Sequence, residues 1–383
     1  MIRSALDEVE PYRPGLGIAE VKARFLGLER LVKLGSNELA MEPLEAAVEA
    51  AVRALSSSSR YPDPWATEIR EALAERHHVD PDQVVFGNGA DELIRLLAQA
   101  TLEPGDGCAF PWPGFPTYRQ AALVAGARVE AIATPPDDAG VAGLRASIGP
   151  QTRLVCFANP NNPTGAHAGH DEIVALAEGL QGTAILLLDE AYCGFVDPEA
   201  AVDGTDLVAE GRSNVCVLRT FSKAYGLAGL RVGYAVTAPR IARALEQVRT
   251  MFNVNVAGQA AALAAMGVQD EVDRRTEAVR ERRVRLMSIL FRGGLKVYPS
   301  QGNFVFCQAR DELVDARVRR AEQIADALLE RGVIVRRMDG FGASDGIRVT
   351  VGSDSELDFL EQALSALAAD SDLLAAPQRG GGV

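Results

Sequence analysis

Leu154-Val155-Cys156-Phe157-Ala158 and Ala184-Ile185-Leu186-Leu187-Leu188 contain no polar residue that a wet face would need, and both stop at a polar residue too soon to be buried helices. Val84-Val85-Phe86 and Val215-Cys216-Val217-Leu218 have the same character. Runs this short and apolar on both faces are strands covered from both sides, as in parallel sheets. Helical stretches such as Ile173 to Leu180 lie between them, so the pattern predicts βαβ units and a mainly parallel sheet in an α/β protein. Open parallel sheets hold ligands outside the carboxyl ends of their strands. The residues that follow each run are therefore where chemistry is to be sought.

At 383 residues the chain is long enough for a large α/β domain with a smaller companion. Lys and Arg number 39 against 52 Asp and Glu, a formal charge of −13. That field repels phosphate backbones and anionic lipid surfaces, and no basic cluster offsets it, which argues against nucleic-acid and membrane partners. Cys108, Cys156, Cys193, Cys216 and Cys307 are odd in number and form no Cys-x-x-Cys pair. With no apolar signal in Met1 to Glu8, this usage predicts a reducing, cytoplasmic setting. His167-x-x-His170 lacks the further ligands that would complete a tetrahedral metal site, so no metal is expected.

Pro11, Pro14, Gly15 and Gly17 make residues 1–35 read as an N-terminal arm rather than a packed element. Residues 36–268 form the expected large domain, 269–370 a smaller α+β domain, and 371–383 a disordered tail. A helix from about Asp270 to Arg292 opens the small domain; Val272, Val279, Leu286 and Leu290 keep one face, and seven arginines on the remainder read as solvated. A helix near Ala321 to Arg331 and strands around Val333 and Val349 follow.

After the run 184–188 comes Asp189-Glu190-Ala191-Tyr192. An acidic pair there fits a nucleotide-site aspartate, a metal ligand or the partner of a cationic heterocycle. After 215–218 comes Arg219-Thr220-Phe221-Ser222-Lys223, then a Gly-rich stretch to Arg231. A lysine at the end of a buried strand is apt for desolvation, which yields the neutral amine that attacks an aldehyde. Ser222 and Arg231 suit a phosphate, by hydrogen bond and by bidentate fork. Pyridoxal phosphate requires a Schiff-base lysine and an acid beside its pyridinium nitrogen; Lys223 and Asp189 meet both demands. Gly87-Asn88-Gly89-Ala90-Asp91-Glu92 opens a helix after a strand, a natural anion site. It fails the dinucleotide fingerprint because Glu92 stands where a third glycine belongs.

Ser222-Lys223 through Arg231, Asp189 to Tyr192, and Asn159-Pro160-Asn161-Asn162-Pro163-Thr164-Gly165 together resemble the fold-type I aminotransferases of classes I and II. The resemblance runs from about Pro11 to about Leu367. It implies the PLP-transferase fold, with pyridoxal 5′-phosphate attached to Lys223 and its ring nitrogen held by Asp189. Asn162 and Tyr192 would bond the phenolic oxygen, and Phe115 would stack on the ring, with Tyr118 as the alternative. The amides of Gly89, Ala90 and Asp91, with Ser222 and Arg231, would take the phosphate.

Tyr12-Arg13-Pro14-Gly15, Tyr61-Pro62-Asp63, Arg336 and Arg348 resemble the histidinol-phosphate aminotransferase subgroup. By that resemblance the protein is a homodimer in which Tyr61 reaches the neighbouring subunit's cofactor. Arg348 and Asn37 would take the substrate carboxylate, and Arg336 with Tyr12 a distal phosphate; Arg337 competes with Arg336 for the site-facing position. Asn37-Glu38-Leu39-Ala40-Met41-Glu42-Pro43 departs from the family's Asn-Glu-Asn-Pro, which unsettles substrate more than chemistry. Aromatic amino-acid transamination and threonine-phosphate decarboxylation are the alternatives on this scaffold, and a non-enzymatic cofactor-sensing domain is a third.

Overall fold

The computed structural model describes residues 2, 4–9, 11, 15–25, 27–180 and 182–374. Thirteen strands occur among them: β1 (Val32–Lys33), β2 (Val84–Asn88), β3 (Gly107–Trp112), β4 (Arg128–Ala133), β5 (Thr152–Ala158), β6 (Ile185–Asp189) and β7 (Val215–Thr220), followed by β8 (Val232–Thr237), β9 (Leu295–Val297), β10 (Phe304–Ala309), β11 (Val333–Ile334), β12 (Arg336–Arg337) and β13 (Gly346–Thr350). The four apolar runs fall in β2, β5, β6 and β7, each almost wholly buried.

The large sheet has the order β2-β8-β7-β6-β5-β3-β4. Its pairings are parallel except those of β8, which runs antiparallel to both β2 and β7. A parallel return needs a crossover of a dozen or more residues. Only residues 221–231 separate β7 from β8, and they hold one short 3-10 turn, so the chain must double back. That loop carries Ser222, Lys223 and Arg231, which places all three beside the end of β7.

A second sheet, β12-β13-β10-β9, is antiparallel throughout, and β1 pairs in parallel with β11 beside it. The helix Gln269–Arg292 joins the two cores: Val272 packs with the large sheet, whereas Val279, Leu286, Ile289 and Leu290 pack with the small one. The cores therefore meet inside this helix rather than at its start. Its arginines are not all solvated: Arg283 is 2% exposed and donates to the Phe195 carbonyl at 2.7 Å and to Asp197. The loop 39–44 spans the same junction, with Leu39 and Met41 against the small core and Leu44 in the large one.

The N-terminal arm is more structured than its prolines and glycines suggest. Ile18–Arg24 forms a helix whose Val21 is buried against Leu329 and Ile334. Tyr12 lies outside the described residues. The expected tail is likewise corrected at its start, because Leu374 is buried in the small core; residues 375–383 lie outside the description. No helix among the described residues is long and apolar enough to cross a membrane.

Candidate active site

The carboxyl ends of β5, β6 and β7 border a cavity of about 290 Å³, closed on its far side by residues of β12 and β13. Lys223 enters it from the β7–β8 turn. Its Nζ donates to the carbonyls of Ser36 and Asn37 at 3.3 and 3.1 Å and lies 5.7 Å from the Tyr192 ring centre. Burial, followed by the cation of Arg348, lowers its pKa to about 7; Arg231 and Lys33 push the same way and Glu38 opposes them. Carbonyls accept from an amine without supplying negative charge. The site therefore holds a lysine close to its neutral, nucleophilic form at physiological pH.

Asp189, at the end of β6, is buried and accepts from the Tyr118 hydroxyl at 2.7 Å and the Ala191 amide at 3.0 Å. Burial raises its pKa although both hydrogen bonds favour the ionised form. A carboxylate in this position gains most from a cationic N–H in the cavity. Tyr118 is fully committed beneath Asp189. Phe115 meets it edge-on, ring centres 5.8 Å apart, and is the half-buried aromatic ring at the cavity wall.

Asn162, after β5, donates to the Tyr192 hydroxyl at 3.5 Å, and Asn37 donates to the same oxygen at 2.9 Å. Arg348 donates to Asn162 Oδ1 and, at 3.0 Å, to the Gly35 carbonyl. Thr350, two residues along β13 and so on the same face, accepts from the Asn37 amide at 3.0 Å. Asn37 and Arg231 both adopt the left-handed region, φ 54° and 59°, where non-glycine residues are strained and functional sites concentrate.

The helix Ala90–Thr101 points its N-terminus at the cavity. Gly89 precedes it at φ 80°, and a Cβ there would collide with the Arg231 guanidinium. The Gly89 amide, however, already donates to Gly87 O at 2.7 Å, so this residue contributes space rather than a donor. Ala90, Asp91, Ser222 and Arg231 line the cavity together, and Arg231 has no carboxylate in ion-pair contact among the described residues. The Asp91 side chain is turned away, accepting from Thr117 and from Arg95. Free helix amides, a hydroxyl and a guanidinium make a cradle for a dianion.

Arg336 and Arg337 divide by strand alternation. Arg336 stands opposite Arg348 in the β12–β13 ladder and lines the cavity, whereas Arg337 pairs with Glu322 at 2.8 Å and Asp339 at 3.1 Å. Tyr61 is not in this cavity. It is 80% exposed and stacked on Phe252, ring centres 4.4 Å apart. The sequence reading missed the anchoring role of Tyr118, the carbonyls of Ser36 and Asn37, and Thr350. Only Thr350 left a signal, its period-2 spacing from Arg348.

Comparison with known proteins agrees with this geometry. Residues 29–367 match the family model described as aminotransferase class I and II. A histidinol-phosphate aminotransferase of Moorella thermoacetica is 39% identical over 351 residues, 92% of this chain and 89% of the relative. An aromatic amino acid aminotransferase of Cutibacterium acnes is 38% identical over 338 residues, 88% of this chain and 92% of the relative. Among solved structures, histidinol-phosphate aminotransferase from Sinorhizobium meliloti, in complex with pyridoxal-5′-phosphate, superposes with a TM-score of 0.85 at 28% identity, covering 95% of this chain and 96% of that one. With the lysine, the acid and the anion cradle gathered at the sheet's carboxyl edge, this chain belongs to the aminotransferase class I and II family.

Proposed function

We propose that the protein is a pyridoxal 5′-phosphate-dependent aminotransferase whose amino donor is histidinol phosphate and whose acceptor is a 2-oxo acid. The residues present suit the cofactor: the Gly89–Arg231 cradle has room for a phosphate that a side chain would fill, and buried Asp189 faces the cavity with no cation in contact among the described residues. When bound, the cofactor supplies an aldehyde for amino exchange and a ring that accepts the electron pair left at the substrate α-carbon. Lys223 would hold it, then move the proton at that α-carbon; a pKa near 7 suits both tasks. Asp189 would keep the ring nitrogen protonated. Asn162 and Tyr192 would bond the phenolic oxygen, Phe115 would cover one ring face, and the amides of Ala90 and Asp91 with Ser222 and Arg231 would hold the phosphate.

One observation carries the substrate: Arg336 and Arg348 face the cavity from directly opposed positions of two strands. A carboxylate is satisfied by one guanidinium fork, whereas a phosphate dianion can use two. Histidinol phosphate has no carboxylate; its phosphate lies one methylene from the amine-bearing carbon, within reach of both cations. The 2-oxo acid would present its carboxylate to Arg348, with Asn37 bracing the pocket. Arg336→Ala should cut kcat/KM for histidinol phosphate by about 10²-fold or more, as expected when one member of a charge-assisted pair is removed. The loss for phenylalanine should stay within about threefold. Stopped-flow half-reactions with histidinol phosphate, phenylalanine, tyrosine, glutamate and threonine phosphate provide the measurement, and equal losses across the panel would reject the assignment.

An aromatic donor is the second reading, favoured by the Phe115 and Phe341 rings at the cavity wall. The same panel decides between them. We further place the protein in the cytoplasm, in keeping with five free cysteines, and as a homodimer. Exposed Tyr61, Trp65 and Met251 form the apolar face a second copy would cover, bringing Tyr61 to the neighbour's cofactor phosphate. Sedimentation should give twice 40.8 kDa, and Tyr61→Ala should weaken cofactor retention while the dimer persists.

A further inference from the structure

Behind the strand ends that carry the active cavity lies a second chamber of about 360 Å³. Ala191 and Thr220 line both spaces. Asp189 and Glu190 are consecutive, so they leave the end of β6 toward opposite sides. Asp189 faces the active cavity, while Glu190, 2% exposed, faces the chamber.

Arg219 comes to Glu190 from the neighbouring strand, β7. Its Nε and Nη2 both donate to Glu190 Oε2, at 2.9 and 2.7 Å, and the Gly204 amide donates to Oε1 at 2.7 Å. No side chain fits at Gly204, since its Cβ would lie 2.6 Å from Glu190 Oε1. The backbone joins the same two strand ends, with the Glu190 amide donating to Leu218 O at 2.9 Å. Lys223 is only four residues beyond Arg219.

The contact is braced from outside. Arg219 Nη2 also donates to Asp203 Oδ1 at 2.6 Å, and Thr205 donates its hydroxyl proton to that oxygen. Having given its proton away, Thr205 Oγ1 must accept from His77 Nδ1, 3.1 Å distant. His77 Nε2 then accepts from the Tyr234 hydroxyl at 3.1 Å. This orientation needs a neutral imidazole, and burial together with the Arg219 cation lowers the His77 pKa to about 4. Tyr234 closes the circuit, since it stands opposite Arg219 in the β7–β8 ladder.

We infer that Arg219 is a positioning residue: its two-pronged contact with Glu190 locks the ends of β6 and β7 and so sets the separation and angle between Asp189 and Lys223. A buried ion pair adds little net stability over apolar packing of the same volume. What it supplies is geometry, because two N–H groups of one planar guanidinium converge on Oε2 while the Gly204 amide holds Oε1, which fixes the carboxylate in distance and direction together. Displacing an active-site group by about 1 Å costs on the order of 10²-fold in rate. The inference rests on the reading of Lys223 and Asp189 as the two residues that hold pyridoxal phosphate.

Arg219→Lys keeps the charge and removes the fork. The holoenzyme variant should show an altered visible circular dichroism of the bound cofactor, because the ring sits differently against Asp189. Its kcat should fall about tenfold to a hundredfold with little change in donor KM. Glu190→Gln should give the same signature and serves if the first variant does not fold. Thr205→Val, which cuts the outer brace only, should lower the melting temperature and leave the cofactor's dichroism and kcat near those of the parent protein. A parental dichroism band and kcat in Arg219→Lys or Glu190→Gln would overturn the inference. So would Thr205→Val reproducing their signature, since the effect would then be general loosening. A parent protein that develops no visible band with pyridoxal phosphate would instead remove the cofactor reading beneath it.

Discussion

Lys223→Ala is expected to abolish amino transfer, with single-turnover rates lower by about 10⁴-fold or more, since covalent attachment and proton transfer are lost together. The protein should still fold, because the side chain projects into a cavity and, among the described residues, donates only to the carbonyls of Ser36 and Asn37. Addition of an amino donor should no longer convert the visible spectrum of the variant to that of the amine form of the cofactor. A variant that still turned over at a tenth of the parental rate would exclude Lys223 from the chemistry. The parent protein offers a companion test through pH. Its Lys223 pKa is lowered to about 7 from an ordinary 10.5, so the amine is protonated below pH 7 and neutral above it. Cofactor uptake by the stripped protein should therefore quicken as pH rises through about 7 and level off beyond. The same lowered value means the unfolded chain holds the extra proton between about 7 and 10.5, so this residue's contribution to stability increases with pH across that window.

Asp189→Ala is expected to cost about 10²- to 10³-fold in kcat, the range seen when a group stabilising transition-state charge is removed. The substitution also strands the Tyr118 hydroxyl, which is fully buried and has Asp189 as its acceptor at 2.7 Å. Leaving such a donor unsatisfied costs about 1–3 kcal/mol. Asp189→Asn separates the two effects: the amide oxygen still accepts from Tyr118, but the negative charge is gone. It should restore most of the melting temperature and little of the rate. Recovery of both would make Asp189 a structural anchor instead.

The strands that build the site were legible because strands buried on both faces must be apolar throughout, and the residues just past them carry the chemistry. Lys223 and Asp189 could be found in this way, whereas Asn162 and Arg348 were carried by the family resemblance. The choice between Arg336 and Arg337 could not, because only the register of β12 on β13 decides which side chain turns inward. Tyr118 was readable as an aromatic near the ring but not as the support of Asp189, a relation spanning 71 residues. The Gly89 amide is spoken for by a local backbone bond that no composition reveals. Arg283 was misread for a related reason: helical periodicity places it among polar positions, yet the carbonyls of Phe195 and Gly302 and the Asp197 carboxylate meet it there. The reversed β8 follows from loop length alone, once the end of β7 and the start of β8 are known.

The β12–β13 ladder has a consequence for how this family member can change its diet. Directly opposed residues of an antiparallel pair keep their Cα atoms about 4.5–5.5 Å apart, so Arg336 and Arg348 form a gauge of nearly fixed span. Loss of Val335, the one residue between Ile334 and Arg336, would not lengthen that gauge. It would turn every side chain of β12 over, withdrawing Arg336 and presenting Arg337 in its place. A drift toward longer or shorter donors must then come from elsewhere on the cavity wall, at Phe115 and at Gly15 of the N-terminal arm, which abuts Arg336, while the charged jaw keeps its width.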